Sequence, residues 1–160
     1  MKLLPLLMLL VCCGCELVNA TAERTSILMP ENDLNRYDNI DELSNISERE
    51  FYEVLKEVED VYRPLVKAQG GELLFVNDWH DSTVNAYATR SGSRGEVWEV
   101  HMFGGLARRN EITADAYQLV ACHELGHHLA GFPYVHSWGA NDGQSDYFAV
   151  HACGKRLWRG

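Results

Sequence analysis

Five consecutive residues, His123-Glu124-Leu125-Gly126-His127, constrain this chain more than any other feature, because they set two imidazoles four positions apart with a carboxylate beside the first. On a helix, positions i and i+4 share a face. Two His side chains one turn apart can each present a ring nitrogen at about 2.0–2.1 Å to a single zinc ion, and Glu124, about 100° round the helix, reaches a water at that metal. The spacing therefore predicts two metal ligands and the general base of a zinc-dependent peptidase. A chain with seven His residues meets such a pattern by chance at some rate, so context decides. The motif lies in an uninterrupted helical stretch that opens at Thr113, a predicted N-cap, and runs through Ala116, Leu119, Val120, Leu125 and Leu129 to Gly131. Apolar residues occur nearly all round this stretch, which predicts a central helix. His, Glu and His in a buried helix cost free energy unless a partner satisfies them, and Zn2+ is such a partner.

At 160 residues the chain has room for one domain with a single core. Its formal charge of −9 argues against a nucleic-acid or anionic-membrane surface, both of which need dense Lys and Arg. Met1-Lys2-Leu3 and the apolar run to Val11 have the charged start and hydrophobic region of a secretory signal, too short to span a bilayer. Two cleavage readings stay open. Val18-Asn19-Ala20 fits a small-residue site and gives a signal peptide over residues 1–20. Gly14-Cys15 resembles the end of a bacterial lipobox and gives a leader ending at residue 14 with a lipid tether on Cys15, although Cys12 stands where a lipobox usually has Leu. Either reading predicts an exported protein: periplasmic, membrane-anchored as a lipoprotein, or secreted. Cys122 and Cys153 would then sit in an oxidising compartment. Cys122 turns away from the His face, however, and in an antiparallel helix pair it lies more than a turn from the level of Cys153. That predicts two buried free thiols rather than a disulfide.

Residues 21–46 are polar and acidic, with Pro30 and little periodicity, and read as a tether or loosely packed lead-in. A single domain is expected over 47–160. It opens with a capping box at Ser47-x-x-Glu50, followed by Phe51, Val54, Leu55, Val58, Val61 and Tyr62 at helical spacing. Pro64 should bend or end this helix. Three short runs with strand character follow, Leu73 to Val76, Val84 to Thr89 and Val97 to Phe103, and suggest a small, mostly antiparallel sheet. In the last run Trp98, Val100 and Met102 alternate with Glu99 and His101, a pattern taken to fit a sheet edge. After the motif helix come a loop from Phe132 to Ala140 and a helix from about Asn141 to Trp158. The order is that of an α+β fold.

Several stretches resemble the gluzincin metallopeptidases of the HtpX and CAAX-prenyl-protease type. Asn85-Ala86-Tyr87-Ala88 is similar to the family's Asn-Ala-Phe-Ala strand, Gly104-Gly105-Leu106 to the glycine and leucine after its edge strand, His123 to His127 to its H-E-x-G-H, and Asn141 to Asp146 to its later Glu-x-x-Ala-Asp. The resemblance implies a zincin-like fold in which a C-terminal helix carries the third zinc ligand, at Asp142, while Asp146 supports a ligand His. Asp142 stands where the family has Glu, the membrane spans of many members are missing, and only fourteen residues separate His127 from Asp142. A metzincin pattern fails, since Ala130 and Pro133 occupy the positions of its glycine and third His. Asp142 and Asp146 are one turn apart, so both can face the metal helix. His136 is the remaining candidate ligand in this stretch.

The expected chemistry is hydrolysis of peptide bonds in a peptide or protein substrate, with Glu124 as general base and the substrate paired along the Val97 to Phe103 strand. Tyr134, His136 and Tyr147 are candidate oxyanion donors from position alone. His128 should be a surface or second-layer residue, His151 lies opposite Asp142 on its helix, and His80 and His101 default to surface roles. Asp115 and Gln118 should face solvent. The competing expectations are a non-catalytic zinc-binding envelope protein, and an interaction module on the same fold.

Overall fold

A computed structural model describes residues 27–28 and 44–158. The leader, its cleavage sites, the lipid tether on Cys15 and most of the lead-in lie outside the described residues. The capping box forms as its spacing requires: Ser47 N–H donates to Glu50 Oε2 at 2.9 Å and Glu50 N–H to Ser47 Oγ at 3.3 Å. Helix α1 then runs over Glu48–Ala68 and buries Phe51, Leu55, Val58, Tyr62 and Val66 on one face. Pro64 neither ends nor divides it. Asp60, whose carbonyl loses its amide partner to the proline, is exposed, so water can take that partner's place. Ile46, read as part of a loose lead-in, is buried in the core.

The strands are β1 (Ile27–Leu28), β2 (Glu72–Asp78), β3 (Ala86–Ser91) and β4 (Val97–Phe103), in the spatial order β1-β3-β4-β2. Strands β3 and β4 form an antiparallel hairpin whose turn places Gly92 and Gly95 at positive φ. The sheet is nevertheless mixed, because β2 runs parallel to β4, with Leu73 opposite Trp98 and Phe75 opposite Val100. Two expectations fall with this. The sheet is not mostly antiparallel over its long strands, and Val97–Phe103 is an interior strand instead of an edge. The alternation in β4 reports which residues face the helices, and it carries no information about which strands lie beside it in the plane. Residues 79–85 carry the chain past β4. Trp79 in this connection is buried, and the Trp79 and Asp81 carbonyls accept from the Arg108 guanidinium.

Gly104 and Gly105 open the short helix α2 (Gly104–Ala107) directly against that connection. A Cβ on Gly104 would overlap the Trp79 carbonyl and one on Gly105 the Ser82 carbonyl, so backbone meets backbone only with glycine there. The central helix α3 (Ala114–Leu129) starts at Thr113, whose hydroxyl accepts from Ala116 N–H at 3.2 Å. It packs on α1, β3 and β4. Helix α4 (Asp142–Phe148) is capped by Asn141 Oδ1, which accepts from Gln144 N–H at 2.9 Å, and continues through a π-helical segment (Ala149–Gly154) into a last turn, α5 (Lys155–Leu157). Among the described residues no helix is long and apolar enough to cross a membrane.

Two further expectations are corrected. Cys122 and Cys153 form a disulfide, with their Cα atoms 5.8 Å apart. The sequence argument assumed a regular α-helix through Cys153, and the π-helical segment instead holds that residue against α3. Gln118 is buried, not solvent-facing: its Nε2 donates to Glu57 Oε2 at 2.9 Å and its Oε1 accepts from Trp158 Nε1 at 2.6 Å. Asp115 is exposed.

Candidate metal centre

Helix α4 lies against α3 because Gly126 has no side chain. A Cβ there would stand 2.9 Å from Ser145 Cα and 3.1 Å from its carbonyl oxygen, so any larger residue forces the two helices apart. This close approach brings the first turns of α4 over the His pair. Asp142 Oδ1 lies 3.8 Å from His123 Nε2 and 3.7 Å from His127 Nε2. One nitrogen of each imidazole and one oxygen of Asp142 lie within 4.8 Å of one another. Three donors so spaced can surround a metal ion, and two imidazoles with a carboxylate make a donor set that suits zinc.

The other ring nitrogens are already engaged. His123 Nδ1 meets Asp146 Oδ1 at 2.8 Å. His127 Nδ1 meets the Ala140 carbonyl at 2.8 Å, with Ser145 Oγ at 3.1 Å. A carbonyl can only accept, so His127 Nδ1 carries the proton and Nε2 is left as a free base aimed at the cluster. Burial pushes the His127 pKa down, which keeps the ring neutral, and the Ala140 bond opposes this in part. Neutral imidazoles with their second nitrogen fixed are the form that binds a metal. The Ala140 carbonyl and Ser145 were missed by sequence reading, since a backbone acceptor leaves no trace in residue type. His136 makes no hydrogen bond or ion pair with either imidazole among the described residues.

Glu124 also approaches His127, with Oε2 3.8 Å from Nε2. Its side chain is 1% exposed and neither oxygen has a hydrogen-bond partner. Burial, reinforced by the negative charge of Asp142, raises its pKa to about 8, while the Ala88 backbone in β3 pulls the other way. An orphaned, buried carboxyl beside two imidazoles fits a site completed by a cation. Next to it opens a hollow of about 410 Å³, lined by Leu119, Val120, Ala149 and Val150 and by His123 and Glu124.

His128 is no surface residue. Its ring is stacked between Trp98 and Trp138, with centroids 5.5 and 5.0 Å away, and the Arg90 guanidinium lies 3.9 Å from the Trp98 ring. Nδ1 accepts from Arg90 Nε at 3.3 Å and Nε2 meets the Glu99 carbonyl at 3.1 Å. Burial drives its pKa down to about 3, so the ring is a neutral strut between α3 and the sheet. His151 stacks on Tyr147 away from the cluster, His80 is exposed, and His101 stacks on Tyr87 and meets Glu99. Of the candidate oxyanion donors, the Tyr147 ring stacks on His151 and the Tyr134 ring packs edge-on against Phe132, and no hydrogen bond or ring contact joins either to the His pair among the described residues. No protein-family model, no curated protein and no solved structure matches the chain.

Proposed function

We propose that this chain is a zinc-dependent metallopeptidase of zincin-like architecture, working outside the cytoplasm on an extended peptide or protein substrate. The observation that carries the reading is Glu124, a buried carboxylate with both oxygens unpaired, 3.8 Å from the imidazole nitrogen that faces the acidic cluster. His123, His127 and Asp142 would hold the ion. Zinc so bound supplies Lewis acidity toward a carbonyl and lowers the pKa of water to about 7. Glu124 takes a proton from the attacking water and returns it to the leaving amine. Asp146 and the Ala140 carbonyl orient the imidazoles, and the apolar hollow receives an apolar side chain beside the cleaved bond.

A structural zinc site is ordinarily closed by a fourth Cys or His, and among the described residues none joins this cluster. The test is digestion of a peptide library by zinc-supplemented protein, wild type against Glu124→Gln. Cleavage next to apolar residues, reduced at least about 10²-fold in the variant, supports the reading. Equal cleavage by the two proteins removes Glu124 from the chemistry, and no cleavage by a zinc-loaded wild type leaves a metal site without peptidase function.

A further inference from the structure

With 23 Asp and Glu against 14 Lys and Arg, cations in this chain have carboxylates to spare, yet Arg90 in β3 forms no ion pair among the described residues. Its guanidinium lies 3.9 Å from the centroid of the Trp98 ring and 5.0 Å from that of Trp138. Nε donates to His128 Nδ1 at 3.3 Å and Nη2 to the His128 carbonyl at 3.4 Å, both long bonds to neutral acceptors. Two of the five guanidinium N–H groups are so used, and three are left among the described residues. Burial lowers the Arg90 pKa to about 10, with the Tyr134 phenol pulling the other way, so the group is a cation at neutral pH. Arg90 is also partly exposed, so a solute can reach it. A desolvated cation fixed by aromatic rings, with donors unspent, gains by meeting an anion. Its position ties it to the candidate centre. Arg90 stands two residues beyond Ala88, about 7 Å along the strand, and the Ala88 backbone acts on Glu124. His128, which holds the guanidinium, follows His127 in α3, and Tyr134 pairs with Ala140, whose carbonyl meets the His127 ring.

We propose that Arg90 is a specificity-determining residue, which binds a carboxylate carried by the peptide a few residues from the bond that is cut. The carboxylate is an acidic side chain or a free C-terminus, since the two present the same pair of oxygens. A planar guanidinium takes such a group through parallel N–H bonds, and the stacked rings of Trp98 and Trp138 hold the fork in place before the peptide arrives. The role in choosing a substrate for cleavage rests on the peptidase reading above. The affinity for a carboxylate does not.

The test is made in the full chain carrying Glu124→Gln, with zinc added, so that no probe is cut. Three pools of short fluorescent peptides are titrated by anisotropy. All share the same apolar residues; the first carries Gln and an amidated C-terminus, the second Glu in place of that Gln with the C-terminus amidated, and the third Gln with a free C-terminus. One or both of the carboxylate pools should bind at least about tenfold more tightly than the neutral pool, and the pool that does so identifies the source of the carboxylate. Arg90→Met keeps the apolar stem over the rings and should erase the difference between pools, whereas Arg90→Lys keeps the charge without the fork and should retain part of it. The ratio between pools is read within each protein, so a loosened fold, which weakens all three alike, does not imitate the effect. Equal binding of the three pools by the chain that retains Arg90 overturns the proposal and needs no change at position 90 to fold. A difference that survives Arg90→Met overturns it as well. Discrimination between pools without peptide hydrolysis by the zinc-loaded, Glu124-containing protein would sustain this proposal and sink the peptidase reading alone, and hydrolysis without discrimination would do the reverse.

Discussion

Replacing Glu124 with Gln should stabilise the metal-free protein at neutral pH, and by an amount that grows with pH. In the fold this carboxyl titrates at about 8, against 4.5 ordinarily, because it is buried beside Asp142 with no hydrogen-bond partner. Between those values the folded chain keeps a proton that the unfolded chain has released. Stability therefore falls as pH rises through the window, by about 1.4 kcal/mol per unit. From pH 5 to pH 7 the loss is about 3 kcal/mol, and Gln, which does not titrate, escapes it. The assay is urea unfolding of both proteins in chelator at the two pH values. His127 and His128 titrate in both proteins, so their contributions drop out of the difference. The expected result is a stability gap between variant and wild type that widens by about 3 kcal/mol from pH 5 to pH 7. Zinc should narrow it by favouring the ionised carboxylate. Parallel pH profiles in chelator would refute the picture of Glu124 as a buried, uncompensated acid.

Gly126→Ala puts a Cβ 2.9 Å from Ser145 Cα, so α4 must retreat from α3; we expect a stability loss of about 1–3 kcal/mol by urea unfolding and weaker zinc binding by calorimetry. Reduction of the Cys122–Cys153 bridge opens a loop spanning 31 residues and should cost roughly 3–4 kcal/mol, read as a lower urea midpoint with reductant present. His128, with its pKa pushed down to about 3, stays neutral in the fold while the unfolded ring takes up a proton. Stability should thus fall as pH drops below about 6.5, by about 1.4 kcal/mol per unit, and His128→Gln should lose that slope in unfolding curves between pH 6 and 4.5.

The central helix and its cap, the capping box at Ser47 and the stretches of strand were legible because each rests on local periodicity or on one side chain meeting nearby backbone. His123 and His127 were legible for a related reason, since residues one helical turn apart share a face, whereas Asp142 was expected from the resemblance of Asn141 to Asp146 to a metallopeptidase motif. What escaped depends on distant contacts. The parallel pairing of β2 with β4 is decided by how residues 79–85 pack, through Trp79 and Arg108, and no alternation within a strand encodes it. The disulfide was missed because the π-helical segment alters where Cys153 falls, and Gln118 because its partners, Glu57 and Trp158, lie far away in sequence. His128 looked peripheral when judged from its own helix, and only the stacking of Trp98 and Trp138 from two other elements encloses it.

Zinc affinity, measured by competition calorimetry on wild type, Asp142→Ala, Asp146→Ala and Glu124→Gln, tests the account most directly. Asp142 contributes an oxygen 3.7 and 3.8 Å from the two imidazole nitrogens, whereas Asp146 meets the far nitrogen of His123 and Glu124 has no place among the three donors. The account predicts one zinc per chain in the wild type, loss of tight binding in Asp142→Ala, a weakening of about 10–100-fold in Asp146→Ala, and retained binding in Glu124→Gln. Wild-type affinity in Asp142→Ala, or no zinc bound by the unaltered chain, would contradict it.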